Sequence, residues 1–328
     1  MRLSINFFAT HLNNFYSKSL FSIPRHIFRA KDSSFGSACS GCAVSTMSEP
    51  LMVGVCQMTS GSDVDKNIEV CKRLITKAKQ LGAKMVFLPE AFDFVSENKE
   101  MCLSLAHSVD GPVIQDLSRT AKDEDVWLSL GGFHEKSSTE DSRVYNTHLI
   151  LDNQGNVAGK YNKLHLFDVD IKGGVRLKES DSFIPGKKMP PVVKTPVGNV
   201  GLSICYDLRF PELSLTLAQQ GADILTYPSA FTFITGAAHW ECLLRARAVE
   251  TQCYVIAAAQ CGQHNVKRRS YGHAMVVDPW GQVIAQCHEG EDVSVTEIDL
   301  EYLNKVRTQM PVWEHRRYDM YDRVGPKL

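Results

Sequence analysis

The sequence predicts an α/β protein built as a four-layer α-β-β-α sandwich in a single domain. From residue 51 onward, apolar strand-length runs alternate with segments of helical period. One strand unit also occurs twice. Gly82-Ala83-Lys84-Met85-Val86-Phe87-Leu88-Pro89-Glu90-Ala91-Phe92 matches Gly221-Ala222-Asp223-Ile224-Leu225-Thr226-Tyr227-Pro228-Ser229-Ala230-Phe231, with Gly, Ala, Pro, Ala and Phe in register. Two similar halves imply two sheets face to face, each covered by helices outside. Neither half could bury its inner sheet face alone, so the pair makes one domain.

The elements follow in order. Residues 51–57 form a strand. Residues 66–81 form a helix with Ile68, Cys71, Leu74, Ile75, Ala78 and Leu81 on one face, ended by Gly82 as the C′ residue. Met85–Leu88 is a strand, 112–122 a helix, and Val126–Leu130 a strand. Strands near 143–151 and 157–161 flank the turn Asn153-Gln154-Gly155-Asn156. Val200–Ile204, Ile224–Tyr227 and Tyr254–Ala259 are read as strands, separated by helices near 211–220 and 238–251. His273–Val277 and Gln282–Gln286 flank Asp278-Pro279-Trp280-Gly281, and a strand near 293–298 leads to a short helix.

Composition narrows the function. The chain has 328 residues, 44% of them hydrophobic, and a net charge of −1. It has no basic surface signal for nucleic acid, and no apolar run near the roughly 18 residues of a membrane span. Ten cysteines are scattered without a framework spacing, and Cys56, Cys205 and Cys253 lie in apparent core segments, which suits a reducing compartment. Residues 1–46 differ: Arg2, Lys18, Arg25, Arg29 and Lys31 stand against one acid, Asp32, amid Ser and Phe. This resembles a mitochondrial transit peptide, the alternative being a disordered extension without an address. A start at Met47 would give a cytosolic form, so both mitochondrial and cytoplasmic locations are expected. The lone Cys39-x-x-Cys42 has no second pair to make a zinc site.

The chemistry centres on Cys205. It follows an apolar strand and precedes Phe210-Pro211-Glu212-Leu213, where Pro211 suits the first turn of a helix. A thiol on a strand-to-helix turn has free backbone N–H groups beside it, as an acyl-transfer nucleophile requires. The alternative is a small buried hydrophobe. Glu90 ends the apolar strand Val86–Leu88, and apolar surroundings should raise its pKa, as suits a general base. Lys163, in Tyr161-Asn162-Lys163-Leu164-His165-Leu166, and Glu179, in Leu177-Lys178-Glu179-Ser180-Asp181, are uninformative alone.

Taken in order, Phe87-Leu88-Pro89-Glu90-Ala91-Phe92, Tyr161–Leu166 and Ile204–Leu213 make the chain resemble the nitrilase superfamily of carbon–nitrogen hydrolases over about residues 51–325. Leu225–Phe231, Thr235–Glu241 and Arg245–Glu250 are most similar to its Nit branch. The resemblance implies a Glu90–Lys163–Cys205 triad with Glu179 as a supporting glutamate, a Cys thioester intermediate, and no metal or cofactor. It further implies a small amide substrate, with deaminated glutathione cleaved to 2-oxoglutarate and cysteinylglycine, and a homo-oligomer with Arg316, Arg317 and Tyr318 near an interface. Arg209 is then a candidate for the substrate carboxylate, unless it pairs with Asp207 or Glu212; Tyr206, Ser229 and Phe231 are candidates for the pocket wall. Other readings remain: an ω-amidase acting on 2-oxoglutaramate, a nitrilase or carbamoylase, a cysteine hydrolase using His165, His239 or His273, and an idle binding protein on the same scaffold.

Overall fold

Parallel strands joined by helical crossovers organise both halves of the chain. The structure, a computed structural model, describes residues 49–138, 141–170 and 176–321. The N-terminal extension, where a targeting signal is expected, with Cys39, Cys42 and Met47, lies outside the described residues. The first half contains β1 (Met52–Met58), α1 (Val64–Gln80), β2 (Met85–Phe87), α2 (Lys99–Leu105), α3 (Pro112–Asp123), β3 (Trp127–Lys136), β4 (Val144–Leu151) and β5 (Val157–Asn162). A small hairpin, β6 (Asp168–Asp170) and β7 (Arg176–Lys178), leads into a 3-10 turn, Glu179–Asp181. The second half contains β8 (Val192–Thr195), β9 (Gly198–Gly201), a 3-10 turn at Cys205–Arg209, α4 (Pro211–Gln219), β10 (Ile224–Thr226), α5 (Phe233–Thr251) and β11 (Tyr254–Ala257). β12 (Ala259–Gln263), β13 (Arg269–Tyr271), β14 (Met275–Val277), β15 (Val283–Gln286), β16 (Asp292–Glu297) and α6 (Leu300–Gln309) complete it.

Two sheets result. One runs β13-β12-β1-β2-β3-β4-β5, with β16 antiparallel to β1 from Met52 to Gln57 and β12 parallel to it at Gln57 and Met58. The other runs β15-β14-β11-β10-β9-β8. Side-chain alternation shows how they stack. Val53, Val55, Met85 and Phe87 share one apolar cluster with Val200, Leu202 and Ile224 of the second half. Their neighbours Cys56, Met58, Val86 and Leu88 turn the other way, onto Ile68, Leu74 and Ile75 of α1 and Ile114 and Leu117 of α3. On the far side of the second sheet, Leu213, Leu217, Trp240 and Leu244 bring α4 and α5 onto it. The order helix, sheet, sheet, helix is the expected sandwich.

Local sequence explains the main elements. Asp63 caps α1 by accepting from Lys66 N. Pro112 and Pro211 open α3 and α4 where a missing N–H costs nothing. Leu81 departs from the expected stripe: it is the C-cap residue and 53% exposed, because the helix ends before completing its face. Gly82 and Gly221 follow their helices with φ of +92° and +90°, the left-handed region that glycine enters freely.

The apolar run Tyr254–Ala259 is not one strand. Tyr254–Ala257 lies in the second sheet, and Ala259–Gln263 pairs with β1 in the first. The chain changes sheets at Ala258, inside a buried segment, so periodicity carries no sign of the break. Helix α2, the hairpins β6–β7 and β12–β13, and β8 are also additions to the sequence reading.

The two halves approach closely at Gly131. A Cβ there would meet the Leu88 carbonyl oxygen and the Pro228 ring, one from each half. We expect Gly131→Ala to cost about 1–3 kcal/mol through overpacking, read as a lowered denaturation midpoint. A midpoint equal to the wild type would mean that this contact relaxes freely.

Candidate active site

Cys205 is the first residue of its 3-10 turn, with φ of +46°, an unusual angle for a residue with a Cβ. Such a conformation persists only where the surroundings over-determine it, and here they do. Cys205 N donates to Pro228 O at 2.9 Å. Asp207, fully buried, accepts from Ile204 N at 2.9 Å and from the Tyr161 hydroxyl at 2.7 Å. Arg247 reaches from α5 to donate to Leu208 O at 3.0 Å. The Tyr206 N–H donates to no acceptor among the described residues.

Glu90, Lys163 and Glu179 meet beside this turn. Lys163, 2% exposed, donates through Nζ to Glu90 Oε1 at 2.9 Å and to both Glu179 oxygens at 3.0 Å. Glu90 comes from the tip of the β2 unit, where it forms an isolated bridge with Gly132. Its Oε2 accepts from Ala230 N at 2.9 Å, across the sandwich in the second half of the repeat. Glu179 Oε2 accepts from Phe167 N at 2.6 Å. Asn146 on β4 joins the two acids, its Nδ2 donating to Glu90 at 2.8 Å and to Glu179 at 3.4 Å.

Asp207 couples the lysine segment to the cysteine turn. Besides Tyr161, it accepts from His165 Nδ1 at 2.7 Å, and the His165 ring stacks on Phe210 at 3.7 Å. Lys163 is therefore flanked on both sides by anchors to the Cys205 turn. Asn146 and Asp207 were not singled out for these tasks by sequence reasoning, because a polar residue in a strand or turn has no local signature.

The charges set the proton positions. Burial alone would raise Glu90, as expected from sequence, but the Lys163 ammonium more than offsets it and the carboxyl is held below its usual range. The expected upward shift is thus corrected: the tertiary partner decides the sign. Burial penalises the Lys163 charge too, and Glu179 and Glu90 together reverse this, holding its pKa well up. Burial, then the Glu90 charge, push the Cys205 thiol strongly up, with Lys163 opposing. The resting cluster is a thiol, two carboxylates and an ammonium.

These groups line one cavity of about 230 Å³. One water needs about 10–15 Å³ of such space, so a leaving group much larger than ammonia fits. Tyr206, Arg209 and Phe231 are on its wall. Arg209 pairs with neither Asp207 nor Glu212; it lies over the Tyr206 and Phe231 rings and contacts His239 at 3.3 Å. Ser229 does not line the cavity: it is fully buried and its hydroxyl donates to Tyr227 O, which corrects its expected place on the wall. His165, His239 and His273 do not line it either, while His134, bonded to Asp93, does. Among the described residues no group of three or more His, Cys, Asp or Glu is placed to hold a metal.

The depressed Glu90 pKa stabilises the fold above its unfolded value of about 4.3, and that contribution is lost as pH falls through the folded pKa. Lys163→Met leaves two carboxylates buried together. It should cost about 3–5 kcal/mol at neutral pH, and less at pH 5, where one acid takes up a proton. Denaturant titration at both pH values checks this; an equal cost at each would count against the charge cluster.

The same arrangement connects this chain to known proteins. The model of the family described as carbon-nitrogen hydrolase matches residues 52–308. A Bos taurus protein named deaminated glutathione amidase is 51% identical over 288 residues, 87% of this chain and 88% of that protein. The Homo sapiens protein of that name is 51% identical over 279 residues, covering 84% and 85%. Among solved structures, the C. elegans NitFhit protein superposes with a TM-score of 0.80 at 52% identity, covering 83% of this chain and 66% of that one. A Saccharomyces cerevisiae member of the nitrilase superfamily gives 0.73 at 32%, covering 82% and 97%. With a buried Glu–Lys–Glu cluster against a cysteine turn and a match across most of its length, the chain belongs to the carbon-nitrogen hydrolase family and is a hydrolase acting on amides.

Proposed function

We propose that this chain hydrolyses deaminated glutathione through a thioester on Cys205. The observation that carries the reading is the convergence, in one cavity, of a thiol, a carboxylate, an ammonium, the Tyr206 N–H and an Arg209 that has no carboxylate partner among the described residues. The names of the relatives at 51% identity support the substrate.

We propose the following steps. Glu90 takes the Cys205 proton as the sulfur attacks the amide carbon. The Lys163 ammonium, helped by the Tyr206 N–H, stabilises the oxyanion. Glu90 returns the proton to the leaving nitrogen as the C–N bond breaks, freeing cysteinylglycine and leaving a thioester. Glu90 then takes a proton from water, whose oxygen attacks the thioester carbon. The C–S bond breaks, the thiol is re-formed with that proton, and 2-oxoglutarate leaves. Glu179 holds Lys163 in place throughout, and Arg209 takes the carboxylate of the acyl part, where a guanidinium can bond both oxygens.

We further propose self-association through the outer face of α5. Phe233, Ile234 and Val249 are exposed there, with Trp280 alongside. Arg316 and Tyr318 bond within the chain, to Glu250 O and Gln219, which folds the C-terminal stretch onto the same side. Sedimentation should show an oligomer that Ile234→Glu disperses; a monomeric wild type would remove this proposal.

For the chemistry, we expect deaminated glutathione to be turned over faster than 2-oxoglutaramate. Glu90→Gln should lose about 10²–10⁴ in kcat, and Cys205→Ala should form no covalent acyl adduct by mass spectrometry. Preference for 2-oxoglutaramate would point to an ω-amidase with the same machinery. A Glu90→Gln enzyme of normal rate would exclude the assigned base.

A further inference from the structure

Three cations on the cavity wall have no part in the steps above: Arg268, Lys99, and Lys178, which lies 3.7 Å from Asp181. Arg268 stands in the turn between β12 and β13, half-buried, and Lys99 is the first residue of α2. Neither pairs with a carboxylate among the described residues. The nearby acids are already engaged or stand off: Glu90 is held by Lys163, Asp141 is bonded to Arg143 while sensing Lys99, and Glu97 shares the wall without pairing. A half-buried guanidinium facing a cavity without a counter-ion is suited to an anionic ligand.

Position tells which part of the substrate it meets. The leaving nitrogen must lie beside Glu90, because that carboxylate delivers its proton. Arg268 sits in the hairpin that leaves β12, whose Gln260 donates to the Glu90 and Ala91 carbonyl oxygens, and it lines the cavity with Glu90 and with Lys99 of α2. Arg268 and Lys99 are therefore associated with the base and α2. Arg209 belongs instead to the nucleophile's own turn, over Tyr206 and Phe231.

We propose that Arg268, assisted by Lys99, forms a second carboxylate subsite, for an acid at the far end of the leaving amine. This rests on the thioester amidase reading above and extends it. The substrate class becomes amides with carboxylates on both sides of the scissile bond, and primary amides fill only half the site.

The test compares deaminated glutathione with its analogue ending in a glycinamide, and with 2-oxoglutaramate. Within each protein, the ratio of kcat/KM for the acid over the capped amide cancels any general loss of activity. The wild type should favour the acid by about tenfold or more. Arg268→Gln should bring the ratio close to one, chiefly through KM, and Arg268→Lys should restore part of it. Equal use of acid and capped amide by the wild type, or an undiminished ratio in both Arg268→Gln and the Arg268→Gln/Lys99→Gln double variant, overturns the subsite while leaving the amidase reading intact. A wild type that cleaves 2-oxoglutaramate and neither glutathione derivative overturns the substrate reading itself, and the subsite with it.

Discussion

One ammonium buried between two carboxylates organises this molecule. An unpaired Lys163 at that depth would be prohibitively costly, so each of its partners must arrive on a different piece of chain. Glu90 comes from the tip of a central strand unit, Glu179 from a 3-10 turn after an outlying hairpin, and Lys163 from the segment after β5. The cluster carries one more negative charge than positive. Backbone donors at Ala230 and Phe167, together with the Asn146 amide, stabilise the excess. Satisfying the charges therefore fixes the relative positions of three segments far apart in sequence.

The repeat explains how the cluster comes to face the Cys205 turn. Both copies end a strand with proline, and both form an isolated bridge one residue later, Glu90 with Gly132 and Ser229 with Ala259. The copies are then used differently. Glu90 sends its carboxylate across to the Ala230 N–H, and Pro228 supplies the carbonyl that receives the Cys205 N–H. Ser229 turns its hydroxyl back to its own chain and acts as a spacer. The sheet change at Ala258 ties the halves again: Gln260 donates to the Glu90 and Ala91 carbonyl oxygens from β12.

Much of this was legible in the residues because periodicity and punctuation report burial and helix ends directly. The α1 stripe, the prolines opening α3 and α4, and the repeated Gly-to-Phe unit all describe local physics. The same logic fails where a decision is made in three dimensions. Tyr254–Ala259 is apolar throughout whether it stays in one sheet or crosses to another. Asn146 and Asp207 are defined by the partners they hold together, and neither has a local pattern. The direction of the Glu90 shift depends on which is larger, its burial or its approach to Lys163, and only the folded distance of 2.9 Å decides that.

That direction constrains how the proton can move. A carboxyl held down by Lys163 is a weak base, and a thiol pushed up by burial and by Glu90 is a weak acid. Complete transfer at rest would put a buried thiolate beside a newly neutral Glu90 carboxylic acid, and would be uphill. In the proposed mechanism the transfer becomes favourable only as the S–C bond forms and the charge leaves sulfur for the carbonyl oxygen. That oxygen is where Lys163 and the Tyr206 N–H can act, so the ammonium that suppresses Glu90 as a base in the resting enzyme is recovered as stabilisation in the transition state. A free thiolate would instead be exposed to oxidation and stray electrophiles. On the proposed mechanism, keeping the proton on Cys205 until an amide is in place makes its sulfur reactive only toward a bound substrate.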